Sequence, residues 1–489
     1  MGTTWRVRHL AAVLAALTIS CAGSPGSGEA PGGEFRFPAD FLWGVAASAY
    51  QTEGDSPGND YDRWLRNGHG QWRNGKADNS YELFDLDSEL ARAAGANSFR
   101  MGIEWARVEP ARDVFDESEI AHYRAVLESI RQRGMKPFVT LHHFTNPLWV
   151  ADQGRWLNPG IVREFADYAG RMASALGDLA DEWITINEPV IYATGAYWAK
   201  TYPGGDLLDM TKANRALVNM IYAHAAAYDA IRAADTRDAD GDGRACRVAF
   251  VHALSPHYPA DPQSPDDVRA AARFDQYYNR QIFDALVYGR LDPWLEPEGG
   301  AGGSVASPGP HPELAGRVDY VGINYYSPRY IRSFPGLLHP LEALPCFSFV
   351  EPLCFSGGRP DVVRGDNGNE VHPEGLFELI EDYASYGLPL IVTENGIAAT
   401  EGRKRSWFIV KHLEQVERAL RQGYRVEGYL HWSLLDNFEW LDGYSMRFGL
   451  YTVDFETFER TPTEAVQAYR EIIRAGGPTP EILARYTWP

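Results

Sequence analysis

Eight short apolar segments alternate with amphipathic helical patterns along the chain, and this alternation constrains the fold more than any other feature. Each segment is rich in the β-branched and aromatic residues that buried strands prefer. The helical patterns IAHYRAVLESIRQRG and ANRALVNMIYAHAAAYDAIRAAD repeat apolar residues at helical spacing. The segments are 41–48, 98–105, 136–144, 182–189, 247–254, 318–326, 389–396 and 426–436. Without a repeat or an internal linker, they predict one α/β domain over residues 35–489, a (β/α)8 TIM barrel with long loops at its C-terminal face.

The N-terminus is typical of a targeting sequence and a tether. Two arginines precede a short apolar run, 10–19, which is typical of a secretory signal peptide and too short to span a membrane. Cys21 follows this run as in a bacterial lipoprotein signal, so lipidation there could attach the protein to a membrane; ordinary cleavage a few residues later is the alternative. We interpret 1–21 as the signal and 22–34 as a flexible linker. The protein is expected to be exported: extracellular, periplasmic or lipid-anchored at the bacterial cell surface.

Charge and aromatic content narrow the partners. The formal net charge is −20 and no run of basic residues stands out, which argues against nucleic acid as a partner. Most of the 14 Trp and 26 Tyr are expected to pack in the core. Aromatic side chains in a cleft would also suit the apolar faces of sugar rings.

Polar side chains gather where the predicted strands end. They are Tyr50, Gln51, Glu53, Arg100, His142, His143, Asn187, Glu188, Asn324, Tyr325, Tyr326, Glu394, Asn395, His431 and Trp432. One such residue could be a satisfied polar group of the core. Seven strands that end this way predict an active site at the C-terminal face of the barrel.

Two carboxylates follow opposite strands of the predicted barrel, Glu188 after the fourth and Glu394 after the seventh. Hydrolysis of an acetal needs such a pair, because one carboxyl protonates the leaving oxygen while the other attacks or stabilises the anomeric carbon. Arg100 and Tyr326 would keep Glu394 ionised, whereas Glu188 has no cation in its motif and can hold a proton. Asn187 can bond a nearby sugar hydroxyl. Retention of configuration would require carboxyl groups about 5 to 5.5 Å apart.

Seven stretches match the motifs of a known family. They are FLWGVAASAYQTEG, FRMGIEWARVEP, LHHFTNPLW, TINEPV, GINYYS, IVTENG and HWSLLDNFEWLDGYSMRFGLY. Together they make the chain resemble a family 1 glycoside hydrolase of the β-glucosidase and β-galactosidase type, from about residue 35 to the last helix. The resemblance implies a retaining enzyme that hydrolyses terminal β-D-glucosyl or related β-glycosyl residues of oligosaccharides or glycosides. It also implies a covalent glycosyl-enzyme intermediate and no cofactor for catalysis.

The resemblance also assigns roles to individual residues. It implies Glu188 as the acid/base and Glu394 as the nucleophile. The implied sugar-binding and supporting residues are Gln51, His143, Asn187, Asn324, Tyr326, Trp432, Glu439 and Trp440. Phe144 departs from the family, which usually has Trp there, so the pocket loses one indole N–H. Intact Glu439 and Trp440 disfavour a 6-phosphoglycosidase, because phospho-sugar members usually replace them.

Two other functions remain open. A transglycosidase would use the same intermediate and resolve it with a sugar in place of water. A carbohydrate-binding protein could have lost catalysis on this scaffold, although intact Glu188 and Glu394 argue against it. The preferred glycone among glucose, galactose and fucose also stays open, since the fold alone does not determine it.

Cys346 and Cys354 flank a short loop late in the chain. An exported protein can oxidise such a pair, so we predict a disulfide that stiffens a loop at the entrance of the site. The alternative is that both remain free thiols, as Cys246 would.

Before the fifth strand, the run DTRDADGDGRA places Asp238, Asp240 and Asp242 in alternation, followed by Gly243. This spacing resembles the first half of a calcium loop. The match is partial, because position twelve is Ala249 and not a bidentate glutamate. The alternative is a solvated acidic turn. A calcium ion there would be structural, since the loop belongs to the N-terminal face of the barrel.

Overall fold

The computed structural model describes residues 35–205, 207–291, 309–336, 341–347, 351–356 and 358–488. The predicted signal, Cys21 and the predicted linker lie outside these residues, so they stay predictions. In the described ranges, no helix is both long enough and apolar enough to cross a membrane.

In the described chain, eight parallel strands close into a barrel in which each strand pairs with its sequence neighbours and the last returns to the first. The strands are β1 Leu42–Ala46, β2 Ser98–Gly102, β3 Lys136–His142, β4 Glu182–Asn187, β5 Arg247–Ala253, β6 Val321–Tyr325, β7 Leu390–Asn395 and β8 Val426–Trp432. Nearly all their residues are buried, as expected of parallel strands covered on both faces. Each strand lies inside its predicted segment, so the predicted TIM barrel is confirmed.

Helices follow the strands around the barrel. They are α1 Ser80–Ala93, α2 Glu117–Gln132, α3 Ile161–Leu176, α4 Met210–Ala234, α5 Gln281–Tyr288, α6 Glu374–Tyr383, α7 Gly402–Arg421 and α8 Glu464–Ala475. The two helical patterns read from the sequence form α2 and α4. Asp116 and Asp209 precede these helices, and each side chain accepts backbone N–H groups of the first turn. These caps satisfy donors that a helix start leaves without partners.

The loops between strands and helices carry further short elements. The short helices are Ala49–Thr52, Asp60–Trp64, Leu65–His69, Trp105–Val108, Leu148–Asp152, Arg155–Leu157, Pro189–Tyr197, Pro265–Asp275, Gln276–Arg280, Pro312–Leu314, Glu351–Cys354, Ala384–Tyr386, Trp440–Asp442 and Pro480–Arg485. The short strands are His257–Pro259, Arg290–Leu291, Gly309–Pro310, Arg329–Ser333, Ala343–Pro345, Tyr451–Val453 and Arg460–Pro462. Arg329–Ser333 pairs with His257–Pro259 and with Ala343–Pro345, so the loops after β5 and β6 share one small sheet.

The loop that follows this small sheet is closed covalently. Cys346 and Cys354 form a disulfide, which confirms the predicted pair. Arg332 also donates to the carbonyl oxygen of Cys354 at 2.8 Å. Cys246 is free and buried. The disulfide thus ties the short helix Glu351–Cys354 back to the sheet.

The acidic loop before β5 satisfies its own carboxylates with protein donors. Asp238 accepts the backbone N–H groups of Gly241, Asp242 and Gly243. Carboxylate oxygens of Asp238, Asp240 and Asp181 approach within 4.8 Å of one another. The compact acidic cluster therefore includes Asp181 where the sequence predicted Asp242.

A lysine lies against this cluster. The ammonium of Lys136 is 2.7 Å from Asp240 and 3.7 Å from Asp242. It also lies 2.8 Å from the buried carboxylate of Glu182. Since a cation already neutralises Asp240, these residues fit calcium poorly, and the geometry favours the acidic turn that the sequence left as the alternative.

We expect the melting temperature to be the same with calcium and with chelator, because Lys136 already supplies positive charge to the loop. Thermal unfolding in both conditions measures this for the wild type and for Asp240→Ala. Asp266→Ala removes an exposed aspartate elsewhere and controls for the lost charge. A calcium-dependent rise that Asp240→Ala abolishes and Asp266→Ala retains would contradict the expectation.

Candidate active site

Glu394 is held at the C-terminal end of the barrel by two strong donors. Arg100 on β2 is fully buried, and its Nη1 donates to Oε1 of Glu394 at 2.5 Å. The hydroxyl of Tyr326, just after β6, donates to Oε2 at 2.6 Å. Both oxygens therefore have a fixed partner, and both partners stabilise negative charge on this carboxylate. The sequence predicted this arrangement, and the structure brings the three residues together.

Arg100 also orients residues from two neighbouring strands. Its Nη2 donates to Oδ1 of Asn187 at 2.8 Å, and its Nε donates to the Thr140 hydroxyl at 3.0 Å. A buried guanidinium is costly unless its donors are used. Here they bond to groups on β3, β4 and β7, so one side chain sets the relative positions of three strand ends.

Glu188 follows β4 in a left-handed conformation, with φ 47° and ψ 62°. The next residue, Pro189, begins the helix Pro189–Tyr197, and the fixed φ of proline suits a first helical position. The left-handed residue lies between the strand and this helix. Such conformations are uncommon outside glycine and are concentrated at functional sites.

The carboxyl of Glu188 is buried and its pKa is raised to about 8. Burial is the main cause, because it penalises the charged form, and the charge of Glu394 adds to it. Nδ2 of Asn324 donates to Oε1 of Glu188 at 2.7 Å. The hydroxyl of Thr393 donates to Oδ1 of Asn324 at 2.7 Å, which fixes the orientation of that amide. Glu188 therefore holds a proton at neutral pH, and Oε2 is the oxygen left to carry it.

The sugar-binding residues that the sequence predicted form one connected wall. The indole N–H of Trp432 donates to Oε1 of Glu439 at 3.3 Å. The ring of His143 stacks between those of Trp432 and Trp440, at centroid distances of 5.9 Å and 6.2 Å. Nδ2 of Asn187 lies 3.2 Å from Nε2 of His143. Burial and then the charge of Arg100 lower the pKa of His143 well below its usual range, so the ring is neutral.

Gln51 is held against the segment that carries Glu439. Its Nε2 donates to Oδ1 of Asn437 at 3.0 Å, and its Oε1 accepts from the Ser48 hydroxyl at 2.7 Å. Its backbone carbonyl accepts the N–H of Phe438 at 3.1 Å. Gln51 and Glu439 thus belong to one hydrogen-bonded unit that joins the ends of β1 and β8.

The chain after β7 lies very close to the backbone at the end of β8. A Cβ on Gly396 would collide with the carbonyl oxygen of Trp432, so glycine lets the chain after β7 lie against the end of β8. The Trp432–Ser433 peptide bond is cis.

Phe144 occupies a wall of the sugar pocket. It has a positive φ of 74°, and its ring lies 5.0 Å from His143, 5.0 Å from Tyr202 and 5.3 Å from Trp440. The phenyl ring offers no N–H to a sugar hydroxyl.

Glu439 lies half-buried in this wall with a pKa raised to about 8. Burial is the largest cause, and the charges of Glu394, Asp442 and Asp436 add to it, while the Trp432 bond acts in the opposite sense. The raised pKa values keep both Glu188 and Glu439 mostly neutral at neutral pH.

Some polar residues at strand ends point away from the site. His142 bonds to Asn146 at 3.2 Å, and Glu53 pairs with Arg107 at 2.9 Å. The hydroxyl of Tyr325 donates to a loop carbonyl at 2.6 Å. They tie loops to the barrel, which is the structural role that the sequence allowed for single residues.

Sequence reasoning missed several supporting residues. Thr140, Thr393 and Asn437 fix the orientation of Arg100, Asn324 and Gln51 respectively. For Thr393, its place directly before Glu394 is the sequence feature that could have indicated a supporting role.

A cavity of about 360 Å3 begins at Glu188 and runs outward. Asn324 and Tyr326 line its inner end, while Cys346 and Phe347 of the disulfide loop line its outer end. A molecule bonded to the reacting carbon could therefore extend from the acid toward the small sheet.

The family model of glycosyl hydrolase family 1 matches residues 34–478 of this chain. The chain is 34% identical to a β-galactosidase of Pyrococcus woesei, over 91% of this chain and 98% of that protein. It is also 31% identical to a 6-phospho-β-galactosidase of Staphylococcus haemolyticus, over 89% and 98% respectively.

Solved structures give the same picture. A β-glycosidase from Pyrococcus horikoshii matches with a TM-score of 0.81 and 31% identity, over 93% of this chain and 98% of that one. A β-glucosidase from Thermotoga maritima in complex with deoxynojirimycin matches with a TM-score of 0.78 and 26% identity, over 90% and 99%. The likeness thus extends over nearly the whole described barrel.

We expect Glu439→Gln to stabilise the protein at alkaline pH. Between the ordinary pKa of 4.5 and about 8, the unfolded chain has lost a proton that folded Glu439 keeps, so the wild type loses stability as the pH rises. Glutamine cannot ionise and can still accept from Trp432. The free energy of unfolding by denaturant should be about 1–2 kcal/mol higher in the variant than in the wild type above pH 8, and nearly equal at pH 4. This figure is lower than the full pKa shift implies, because Glu439 is partly exposed to solvent.

Glu459→Gln, at an exposed glutamate, is the matched control and should show no such pH dependence. An equal effect of Glu439→Gln at both pH values would contradict the assigned environment.

Proposed function

Because this chain belongs to glycosyl hydrolase family 1 and is a glycosidase, we propose that it is a retaining β-glycosidase that acts through a covalent glycosyl-enzyme intermediate. One observation carries the proposal: Glu394 has two donors that stabilise its charge, whereas burial keeps Glu188 protonated. A nucleophile and an acid need those opposite environments. Members of this family need no cofactor for catalysis.

In the first step, a carboxylate oxygen of Glu394 bonds to the anomeric carbon as the glycosidic C–O bond breaks. Oε2 of Glu188 gives its proton to the leaving oxygen. The ester formed at Glu394 carries no charge, so one cause of the raised pKa of Glu188 disappears. Glu188 then remains ionised and can accept a proton from the attacking water in the second step.

The proposed mechanism requires carboxyl groups about 5 to 5.5 Å apart, and this distance stays a prediction. A short chain of contacts supports it. Asn324 donates both to Glu188 and to Asn187, at 2.7 Å and 3.1 Å, and Asn187 shares Arg100 with Glu394.

The proposed glycone is an unphosphorylated glucosyl or related residue. Gln51 and Glu439 would bind its hydroxyls, and Trp432 would stack on its ring. The largest effects of neighbouring charges on Glu439 come from Glu394, Asp442 and Asp436, all acidic. A phosphate dianion there would meet like charge, so the activity named for the staphylococcal relative is not the one proposed here.

Transglycosylation remains the second candidate, because a sugar hydroxyl could occupy the cavity beside Glu188 as readily as water. Its size, about 360 Å3, favours an acceptor larger than water. Product analysis at high sugar concentration separates the two outcomes. The inactive carbohydrate-binding alternative is set aside, since this chain is a glycosidase.

Glu394→Ala should lower turnover of an aryl β-glucoside by several orders of magnitude while the fold is kept, because the nucleophile is lost. Added azide should restore part of the activity, since this small anion fits the space of the missing carboxylate. Nuclear magnetic resonance of the product should show a glycosyl azide of inverted configuration. Wild-type-like hydrolysis by this variant would disprove the nucleophile.

Glu188→Ala should slow substrates with poor leaving groups by far more than substrates with good ones, because only the former need a proton. For the wild type, kcat/KM should fall above about pH 8 as Glu188 ionises. This fall of kcat/KM at alkaline pH should be absent in Glu188→Ala. Glu104→Gln is a matched control, because Glu104 is another buried glutamate whose pKa is raised to about 8. If its replacement removed the same fall, Glu188 would not be the titrating acid.

A further inference from the structure

We propose that the leaving-group side of the site accepts a molecule bearing a carboxylate, which Arg329 binds. The inference rests on the proposed function, because it concerns the group that departs from Glu188. The cavity that begins at Glu188 contains several charged side chains in its described lining, namely Glu188, Arg329, Glu351, Arg364 and Glu370.

All of these charges except that of Arg329 are balanced by the protein. Glu351 pairs with Arg364 at 2.8 Å, and Glu370 pairs with Arg359 at 2.5 Å. Glu188 is protonated at neutral pH. The described residues provide no carboxylate within ion-pair distance of Arg329, so the lining carries one uncompensated positive charge beside the acid.

The guanidinium of Arg329 is held in a fixed position. Arg329 is the first residue of the strand Arg329–Ser333, at the edge of the cavity. Nη2 donates to the hydroxyl of Tyr278 at 3.1 Å, and the group lies 4.9 Å from the ring of Tyr278 and 5.9 Å from that of Phe347. These contacts restrict its rotation without satisfying its charge.

The buried Nε of Arg329 has no hydrogen-bond partner in the described chain. A buried donor without a partner is costly, and nearly all such groups in native proteins are satisfied. Arg329 as a whole is only partly buried, so a carboxylate in the cavity can accept from its terminal nitrogens, in the paired geometry that guanidinium favours. A carboxylate therefore supplies the missing negative charge.

Arg329 lies in the cavity on the leaving-group side of Glu188, and not among the residues predicted to bind the sugar. Its charge is felt by Glu188, whose pKa it lowers in part. Among the described residues that line the same cavity are Tyr330 and Phe347, whose rings suit an aromatic or sugar body on the leaving group. The carboxylate could belong to an aromatic acid or to a uronic acid, and the two are separable by experiment.

The test compares kcat/KM for two pairs of β-glucosides that differ only in charge. One pair has 3-carboxyphenol and its methyl ester as leaving groups, and the other has glucuronic acid and its methyl ester. Dividing the ratio of each pair in a variant by that in the wild type cancels the intrinsic leaving-group reactivity. Arg329→Met should lower the carboxylate-to-ester ratio by about tenfold or more in at least one pair, as loss of a charge-assisted hydrogen bond implies. The pair that responds identifies the source of the carboxylate.

Arg269→Met is the matched control, because Arg269 is exposed on the helix Pro265–Asp275 and does not line the cavity. It should leave both ratios unchanged, and melting temperatures show whether either variant alters the fold. Arg329→Lys should retain part of the preference, since it keeps the charge and loses the paired geometry. An unchanged ratio in Arg329→Met, or an equal change in Arg269→Met, would overturn the inference.

Hydrolysis of the neutral esters by the wild type reports on the proposed function independently of Arg329. If the wild type hydrolysed no member of either pair, the proposed function would fail on its own. Calorimetric dissociation constants for the carboxylate and the ester, measured with the wild type and with Arg329→Met, would then test the inference. Tighter binding of the carboxylate that depends on Arg329 supports it, and equal binding refutes it.

Discussion

The buried guanidinium of Arg100 is the interaction on which the rest of the site depends. It lies inside the barrel with no access to solvent, where an unpaired charge would destabilise the fold by several kcal/mol. Its donors bond to Glu394, Asn187 and Thr140, which come from three different strands. The requirement that this charge be paired therefore fixes the position of Glu394 and of the amide beside Glu188.

The carboxyls of Glu188 and Glu394 differ through their surroundings and not through their chemistry. Glu394 receives a cation and a phenol, whereas Glu188 receives one amide and a neighbouring negative charge. Glu439 is a third carboxyl whose pKa burial raises. Burying acids whose pKa values are raised lowers the stability of the folded protein at alkaline pH, and such shifted groups are concentrated at functional sites.

The residues proposed for the chemistry and those proposed to select the leaving group lie on different parts of the structure. Strand ends of the barrel carry the two carboxyls of the proposed mechanism, where barrel enzymes place their chemistry. The small sheet that begins at Arg329, together with the disulfide between Cys346 and Cys354, forms the outer wall of the cavity. Changes in that wall would alter which group leaves without disturbing Arg100 or its partners, because the wall is built from loops outside the barrel.

The sequence by itself determined the eight strands and placed Glu188 and Glu394 at one end of a barrel, through strand periodicity and chain order. It left the disulfide as one of two alternatives, and only the family resemblance pointed to Gln51, Glu439 and Trp440. It did not reveal that Arg329 lacks a counter-charge, or that Lys136 neutralises Asp240 where calcium was one hypothesis. The sequence did not show that the pKa of Glu439 is raised. Each depends on which groups surround a side chain after distant segments pack together, and only the tertiary structure decided those distances and burials.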